Sequence, residues 1–187
     1  TRGEYLLDLV RDYLELARLE GGSVAYAPRA DVDLERDVLS VALDVTRPEA
    51  ERRRIRVAVE VPAELGPVHL DPALMRVVLV NLLSNAVKYG RDDGLVRVVL
   101  AREAPQLRLS VWNEGPGFPP TEPSRLFRKF SRLRAPELAR ERGSGVGLYT
   151  VWRLVGLHGG RVTARSEHGA WAEFTVLLPQ PPAATRD

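Results

Sequence analysis

"NLLSNAVKYG", residues Asn81 to Gly90, decides the fold. Two asparagines, a lysine and a tyrosine interrupt an apolar run. Asn81, Asn85 and Lys88 follow each other at spacings of four and three, so all three share one face of a helix. Unpaired amides and ammonium groups are costly to desolvate in a core. That face therefore meets solvent or a polar ligand. Upstream, "DPALMRVVLV" continues the helix: Asp71 suits the cap, Pro72 the first turn, and Gly90 a left-handed exit. Apolar positions cover most of its circumference, which predicts a central, buried helix.

Strands surround it. "IRVAVEV" (55–61) alternates, and "LVRVVLARE" with "LRLSVWN" reads as a pair joined through Ala104-Pro105-Gln106. "RVTARSE" and "AEFTVLLP" read as a closing hairpin. Further helices are expected over 34–46, around "PSRLFRKFSRL", and over "LYTVWRLVGLHGG", which Gly159-Gly160 stops. Residues 4–20 carry a stripe of Leu6, Leu9, Tyr13, Leu16 and Glu20, widened by Val10 and Ala17, and Gly21-Gly22 ends it. That stripe suits a helix packed on its own domain, or one half of a helical hairpin. "APRADVD" (27–33) reads as a linker. The fold class is α/β, a two-layer sandwich whose mixed sheet is covered on one face by helices.

The totals narrow the function. The chain has 187 residues, enough for one domain with an appendage, and it opens on Thr1 as a piece of something longer would. No apolar run approaches the about 20 residues of a membrane span. With no cysteine, disulfides and thiolate metal sites are excluded. Net charge is +2 and the basic residues are spread, which argues against a nucleic-acid partner. Of 27 basic residues 25 are arginine, and lysine survives at Lys88 and Lys129, both inside the motifs described here.

Two glycine clusters bracket the second half: "NEGPGFPP" (113–120) after a strand and "GSGVGL" (143–148) before a helix. Glycines let backbone amides approach a ligand, and a helix N-terminus favours anions. No Gly-Lys-Ser/Thr follows, so this is not a P-loop. No strand precedes the second cluster, so the dinucleotide fingerprint fails too.

The ordered set is more specific than its members. "NLLSNAVKYG", "NEGPGF", "LFRKF" and "GSGVGL" resemble the N, G1, F and G2 boxes of the ATP-binding domain of sensor histidine kinases, within the superfamily that includes gyrase B, Hsp90 and MutL. The resemblance runs from about Ala30 to Pro179. It implies the end of a dimerisation helix over 1–22, a linker over 23–30, the catalytic domain over 31–180 and a tail over 181–187. It implies ATP and Mg²⁺, with Asn85 as metal ligand and Asn81, Lys88 and Arg132 at the phosphates. Tyr89, Asn113, Gly115, Gly117, Phe118, Gly143, Ser144, Gly145, Val146, Gly147 and Leu148 would bind the nucleotide. Segment 131–143 would be a lid anchored by Phe127 and Phe130, and Lys129 either meets phosphate or is solvated.

In hydrolytic relatives such as gyrase B a Glu that activates water matches Asn81. An amide cannot take that proton, so transfer to a His acceptor is implied. Implied partners are the chain's own dimerisation and phosphotransfer domain, a response-regulator receiver domain and a second copy of the chain, in a cytoplasmic setting that a membrane-anchored receptor would also offer. Two departures stand out. The first box opens on Asn113 where Asp is usual, which predicts weaker ATP binding and relaxed discrimination against guanine; Glu114 is expected in solvent. His69, His158 and His168 lack the acceptor's context and are expected to be structural or solvated. A degenerate nucleotide-binding module without kinase activity is the alternative, and a serine kinase of the anti-sigma type is a third reading.

Overall fold

The computed structural model describes residues 17, 20–22, 24–119, 123–131 and 144–181. In chain order the elements are β1 (Arg29–Val32), α1 (Ser40–Arg52), β2 (Arg56–Glu60), β3 (Val68–Leu70), α2 (Pro72–Tyr89), β4 (Leu95–Glu103), β5 (Gln106–Glu114), α3 (Pro123–Leu126), α4 (Gly147–Leu157), β6 (Arg161–Glu167) and β7 (Trp171–Pro179). Five strands form one mixed sheet in the order β2-β4-β5-β7-β6. β2 lies parallel to β4, and the other pairs are antiparallel.

Alternation sorts the two faces of the sheet. Val96, Val98 and Leu100 of β4 and Leu107, Leu109 and Val111 of β5 turn inward, and Val176 and Leu178 of β7 join them. The opposite face carries Trp112, with the Arg97 guanidinium 5.3 Å from its ring centroid. Helices cover the inward face. α2 lies between α1 and α4 and packs on β5. Its Met75, Val78, Leu79, Leu82 and Leu83 are fully buried. Each such side chain contributes about 1.5–3 kcal/mol when removed from water. Turning α2 by one residue would expose several of them at once, so their burial fixes which face the polar residues occupy.

Asp71 starts α2 as its sequence position predicts. Its Oδ1 accepts from the amides of Ala73 (2.9 Å) and Leu74 (3.1 Å), while Oδ2 accepts from Ala27 (2.8 Å). His158 closes the same corner. Its Nδ1 donates to the Leu154 carbonyl (2.8 Å), and its Nε2 accepts from the Asp71 amide (3.1 Å). Tyr26 meets the His158 ring edge-on at 5.0 Å, and burial, with the nearby Asp71 carboxylate, pushes its phenol above the ordinary range.

Several expectations are corrected. Segment 27–33 is no plain linker: β1 pairs antiparallel with β3 in a small second sheet. The helix expected over 34–46 begins as a wide π turn (Glu35–Leu39) and runs to Arg52, through Pro48, with Ala50 buried beneath it. The helix expected over 123–133 stops at Leu126, and turns follow in which Phe130 takes a left-handed φ of 56°. Gly90 is extended (φ −68°, ψ 163°), not left-handed. A Cβ there would stand 2.6 Å from the Ala86 carbonyl oxygen, so glycine is required by proximity. Of the helix expected over 4–20 only residues 17 and 20 are described; after them the Gly21 amide bonds the Ala17 carbonyl at 2.9 Å, and Gly22 takes φ 67°.

Replacing Asp71 by Ala removes the cap of α2 and the tie to Ala27. Urea unfolding is expected to show a loss of about 1–2 kcal/mol, most of it restored by Asp71→Asn, whose amide oxygen still accepts.

Candidate nucleotide site

The polar face of α2 meets the second glycine cluster. Asn81 donates from Nδ2 to the Val77 carbonyl at 2.9 Å. Its Oδ1 lies 2.6 Å from the point a Cβ on Gly147 would occupy. Gly147 is the first residue of α4, so the amide oxygen lies against a helix N-terminus that only a glycine lets come so near. Asn85, Lys88 and Tyr89 follow on the same face, all half-buried. The Lys88 ammonium stands 5.1 Å from the Tyr89 ring centroid. Val146, which precedes α4, is buried, and Ser144 Oγ accepts from its amide at 3.2 Å. Leu148 packs against the core from the first turn of α4.

Gly145 joins two stretches of chain. It takes φ 75°, and a Cβ on it would lie 2.8 Å from the Ser131 carbonyl oxygen. Residues 130–131 and 144–147 are therefore adjacent. Arg132 and Gly143 lie outside the described residues, as does most of the expected lid. Phe127 is buried and meets Phe174 edge-on at 6.4 Å, as an anchor should. Phe130 does not anchor: it is 59% exposed. Lys129 is exposed, pairs with Glu20 and lies 5.3 Å from the Tyr149 ring centroid.

The first glycine cluster forms the end wall. Asn113 is 3% exposed on the inner face of β5. Its Nδ2 donates to the Glu114 carbonyl at 3.1 Å. A Cβ on Gly115 would lie 2.4 Å from the Tyr89 carbonyl oxygen, so this turn is pressed against the exit of α2. Gly117 takes φ 58°, and a Cβ there would lie within 2.7 Å of Ser166 Oγ and of the Glu167 and Trp171 carbonyl oxygens. The Phe118 amide donates to Ser166 Oγ at 2.8 Å, and the buried Phe118 ring packs on Phe174 at 6.2 Å. Glu114, expected in solvent, accepts the Leu95 amide on Oε2 at 2.9 Å and so braces the start of β4.

Sequence reasoning missed Ser166, which clamps the turn by also donating to the Trp171 carbonyl at 2.8 Å. It missed Thr150, whose buried hydroxyl is the one side-chain polar atom without a partner among the buried described residues. A serine in a strand and a threonine in a helix carry no distinctive spacing. Neither His69, which exchanges backbone bonds with the Gln180 side chain, nor the exposed His168 enters the site. Among the described residues no group of three His, Cys, Asp or Glu could hold a metal, and no helix is long and apolar enough to cross a membrane.

Residues 70–182, more than half of the chain, match the family described as histidine kinase-, DNA gyrase B- and HSP90-like ATPases. The chain belongs to this family. It is 33% identical over 180 residues to the circadian input-output histidine kinase CikA of Synechococcus elongatus, covering 95% of this chain and 24% of CikA. It is 38% identical over 149 residues to the adaptive-response sensory kinase SasA of Parasynechococcus marenigrum, covering 76% of this chain and 38% of SasA. The crystal structure of full-length ShkA in complex with AMPPNP superposes with a TM-score of 0.80 at 33% identity, over 98% of this chain and 38% of that one. The catalytic domain of histidine kinase ThkA shares the fold, with a TM-score of 0.69 at 21% identity over 85% of this chain and all of that one. The chain thus spans less than half the length of CikA, SasA and ShkA. It is the ATP-binding catalytic domain of the histidine kinase type.

Gly117→Ala combines a disfavoured φ with three oxygen contacts against backbone and a clamped hydroxyl. Thermal and urea unfolding are expected to show a loss of roughly 3 kcal/mol or more, and Gly156→Ala, inside α4 with nothing within 4 Å of the added carbon, serves as the control, expected to hold or gain up to about 1 kcal/mol.

Proposed function

We propose that this domain binds Mg-ATP between α2 and the two glycine turns and transfers the γ-phosphoryl group to a histidine imidazole on a dimerisation helix. The approach of the Asn81 amide oxygen to Gly147 carries the reading. A Cβ on Gly147 would collide with that oxygen, so the glycine lets the polar face of α2 meet the N-terminus of α4, where anions are favoured. The donor set fits the metal. Mg²⁺ takes oxygen ligands and is held by few protein groups together with phosphates. Asn85, with its amide oxygen, is the residue assigned to hold it, and Asn81 faces the same region. When bound, the metal neutralises phosphate charge, the main demand of phosphoryl transfer.

The chain's own residues do the rest. Asn81 is an amide and accepts no proton, so no base activates water at its position, and hydrolysis is slow relative to transfer. Lys88 is assigned to the phosphates as a compact point charge, and Tyr89 flanks the nucleoside. The backbone amides of Gly145, Gly147 and Leu148 are assigned to the triphosphate, while that of Val146 is bonded to Ser144 Oγ. Asn113 is assigned to the adenine amino group. Its Nδ2 is committed to the Glu114 carbonyl, which leaves Oδ1 as the acceptor and opposes the flip that would admit guanine. That bond favours adenine over guanine against the relaxed discrimination that an amide alone would allow.

The acceptor histidine belongs to another segment, since both ring nitrogens of His158 are engaged. This reading implies residues 31–180 as the nucleotide-binding unit, with the chain's own dimerisation domain, a receiver domain and a second copy as partners, in the cytoplasm. A regulatory module without transfer activity is the second reading, favoured by Asn113 where the family has Asp.

Incubating the chain with Mg-ATP labelled at the γ-phosphate and its own upstream helical stem decides between them. Acid-labile label on a stem histidine is expected; nucleotide binding without such label supports the regulatory module. Within the binding assay, Asn85→Ala is expected to weaken Mg-ATP at least about tenfold and to abolish the sensitivity of binding to EDTA. ATP should be preferred over GTP by at least about tenfold.

A further inference from the structure

We propose that Arg53 is a positioning residue for the nucleotide site, setting the last turn of α2 and thereby Lys88 and Tyr89. The proposal rests on the nucleotide-binding reading above.

A helix commonly ends on a left-handed residue whose amide satisfies the last carbonyls. α2 does not, because Gly90 is extended. The carbonyls of its final turn need other donors. Arg53, just past α1, bonds two of them and the carbonyl of Gly90 beyond. Its Nη1 donates to the Val87 carbonyl and to the Lys88 carbonyl (2.6 Å), and its Nη2 donates to the Gly90 carbonyl (2.9 Å). Its Nε donates to Asp92 Oδ1 at 2.7 Å. The side chain is 15% exposed. A planar guanidinium with five N–H donors can hold this spread of acceptors at once, and a lysine ammonium cannot. A cation at a helix C-terminus also opposes the helix dipole.

Apolar packing holds only the first half of this turn, through Ala86 and Val87. Apolar burial along α2 ends at Val87, and Lys88 and Tyr89 are half-buried polar residues. On the far side the Gly115 turn presses on the Tyr89 carbonyl, and the Arg91 amide donates to the Glu114 carbonyl at 2.8 Å. The turn is therefore gripped between Arg53, outside the site, and the glycine wall, inside it. Arg53 bonds the carbonyl of Lys88 itself, so its loss frees the backbone that aims the ammonium.

The test measures Kd for Mg-AMPPNP, thermal midpoint and amide hydrogen exchange at 88–91 in the 187-residue chain. Arg53→Ala is expected to weaken binding about tenfold at a temperature where the variant is fully folded, with faster exchange at 88–91. Arg53→Lys should fall between. Asp92→Asn, which removes the carboxylate and keeps the three carbonyl bonds, should bind as the wild type does. A lowered thermal midpoint with unchanged Kd in Arg53→Ala overturns the proposal and leaves Arg53 a structural cap. A wild-type chain that binds no nucleotide overturns the nucleotide reading, and this proposal with it. If Arg53→Ala is too unstable to measure, equal Kd values for Arg53→Lys and wild type overturn the proposal.

Discussion

The burial of the α2 leucines is the constraint on which the rest depends. Leu79, Leu82 and Leu83 lie in the interior with no exposed surface, between α1, α4 and the sheet. Helical geometry then dictates where the remaining residues point. Asn81 cannot leave the glycine side without lifting leucines into water, at a cost of several kcal/mol that marginal stability does not allow. The polar face is thus held by an apolar one. Asp71 fixes where the helix starts and ties it to Ala27, and His158 binds that cap to the end of α4. Both helices of the site therefore share one corner of hydrogen bonds as well as a core.

Neutral groups and backbone dominate what this scaffold presents. The site helix offers two amides and one ammonium, and the turns offer main-chain N–H groups held close by glycine. Nothing on that face carries negative charge, which suits a ligand that brings its own, as a triphosphate does. Glu114 fits the same logic. Its carboxylate is spent on the Leu95 amide at the start of β4, and so does not project as an uncompensated anion beside the wall. Asn113 in place of the family's Asp loses the stronger charged acceptor, yet at 3% exposure an amide avoids the desolvation cost of a carboxylate and also donates to the neighbouring carbonyl.

Much of this was legible because periodicity and caps are local. Asp71-Pro72 marked the start of α2, alternation marked β4, β5 and β7, and the glycine clusters fell where two walls come together. What failed was set by neighbours distant in sequence. Gly90 looked like a left-handed cap, but its true constraint is the Ala86 carbonyl and the Ile55 side chain beside it, with capping done by Arg53 from another element. β1 and β3 are too short for alternation to register and exist because they pair with each other. Phe130 looked like an anchor by spacing from Phe127, yet its left-handed backbone turns it outward. Ser166 and Thr150 matter through what lies opposite them, which no single-sequence pattern encodes.

The two lysines in an arginine-rich chain end up in related settings with different partners. Each ammonium lies just over 5 Å from a tyrosine ring centroid, Lys88 over Tyr89 and Lys129 over Tyr149. An exposed cation–π contact is worth about 0.5–1 kcal/mol, and arginine makes it at least as well, so the ring alone does not explain lysine at either place. The second partner differs. Lys129 is paired with the Glu20 carboxylate at the end of the leading helix, outside the nucleotide wall. Lys88 stands on the wall itself, one turn beyond Asn85, and its backbone carbonyl is held by Arg53. A planar guanidinium at position 88 would be broader than an ammonium and would meet a phosphate as a fork, not as a point charge. The nucleotide reading assigns that compact charge to a phosphate, so of the two lysines Lys88 is the one on whose identity that reading depends.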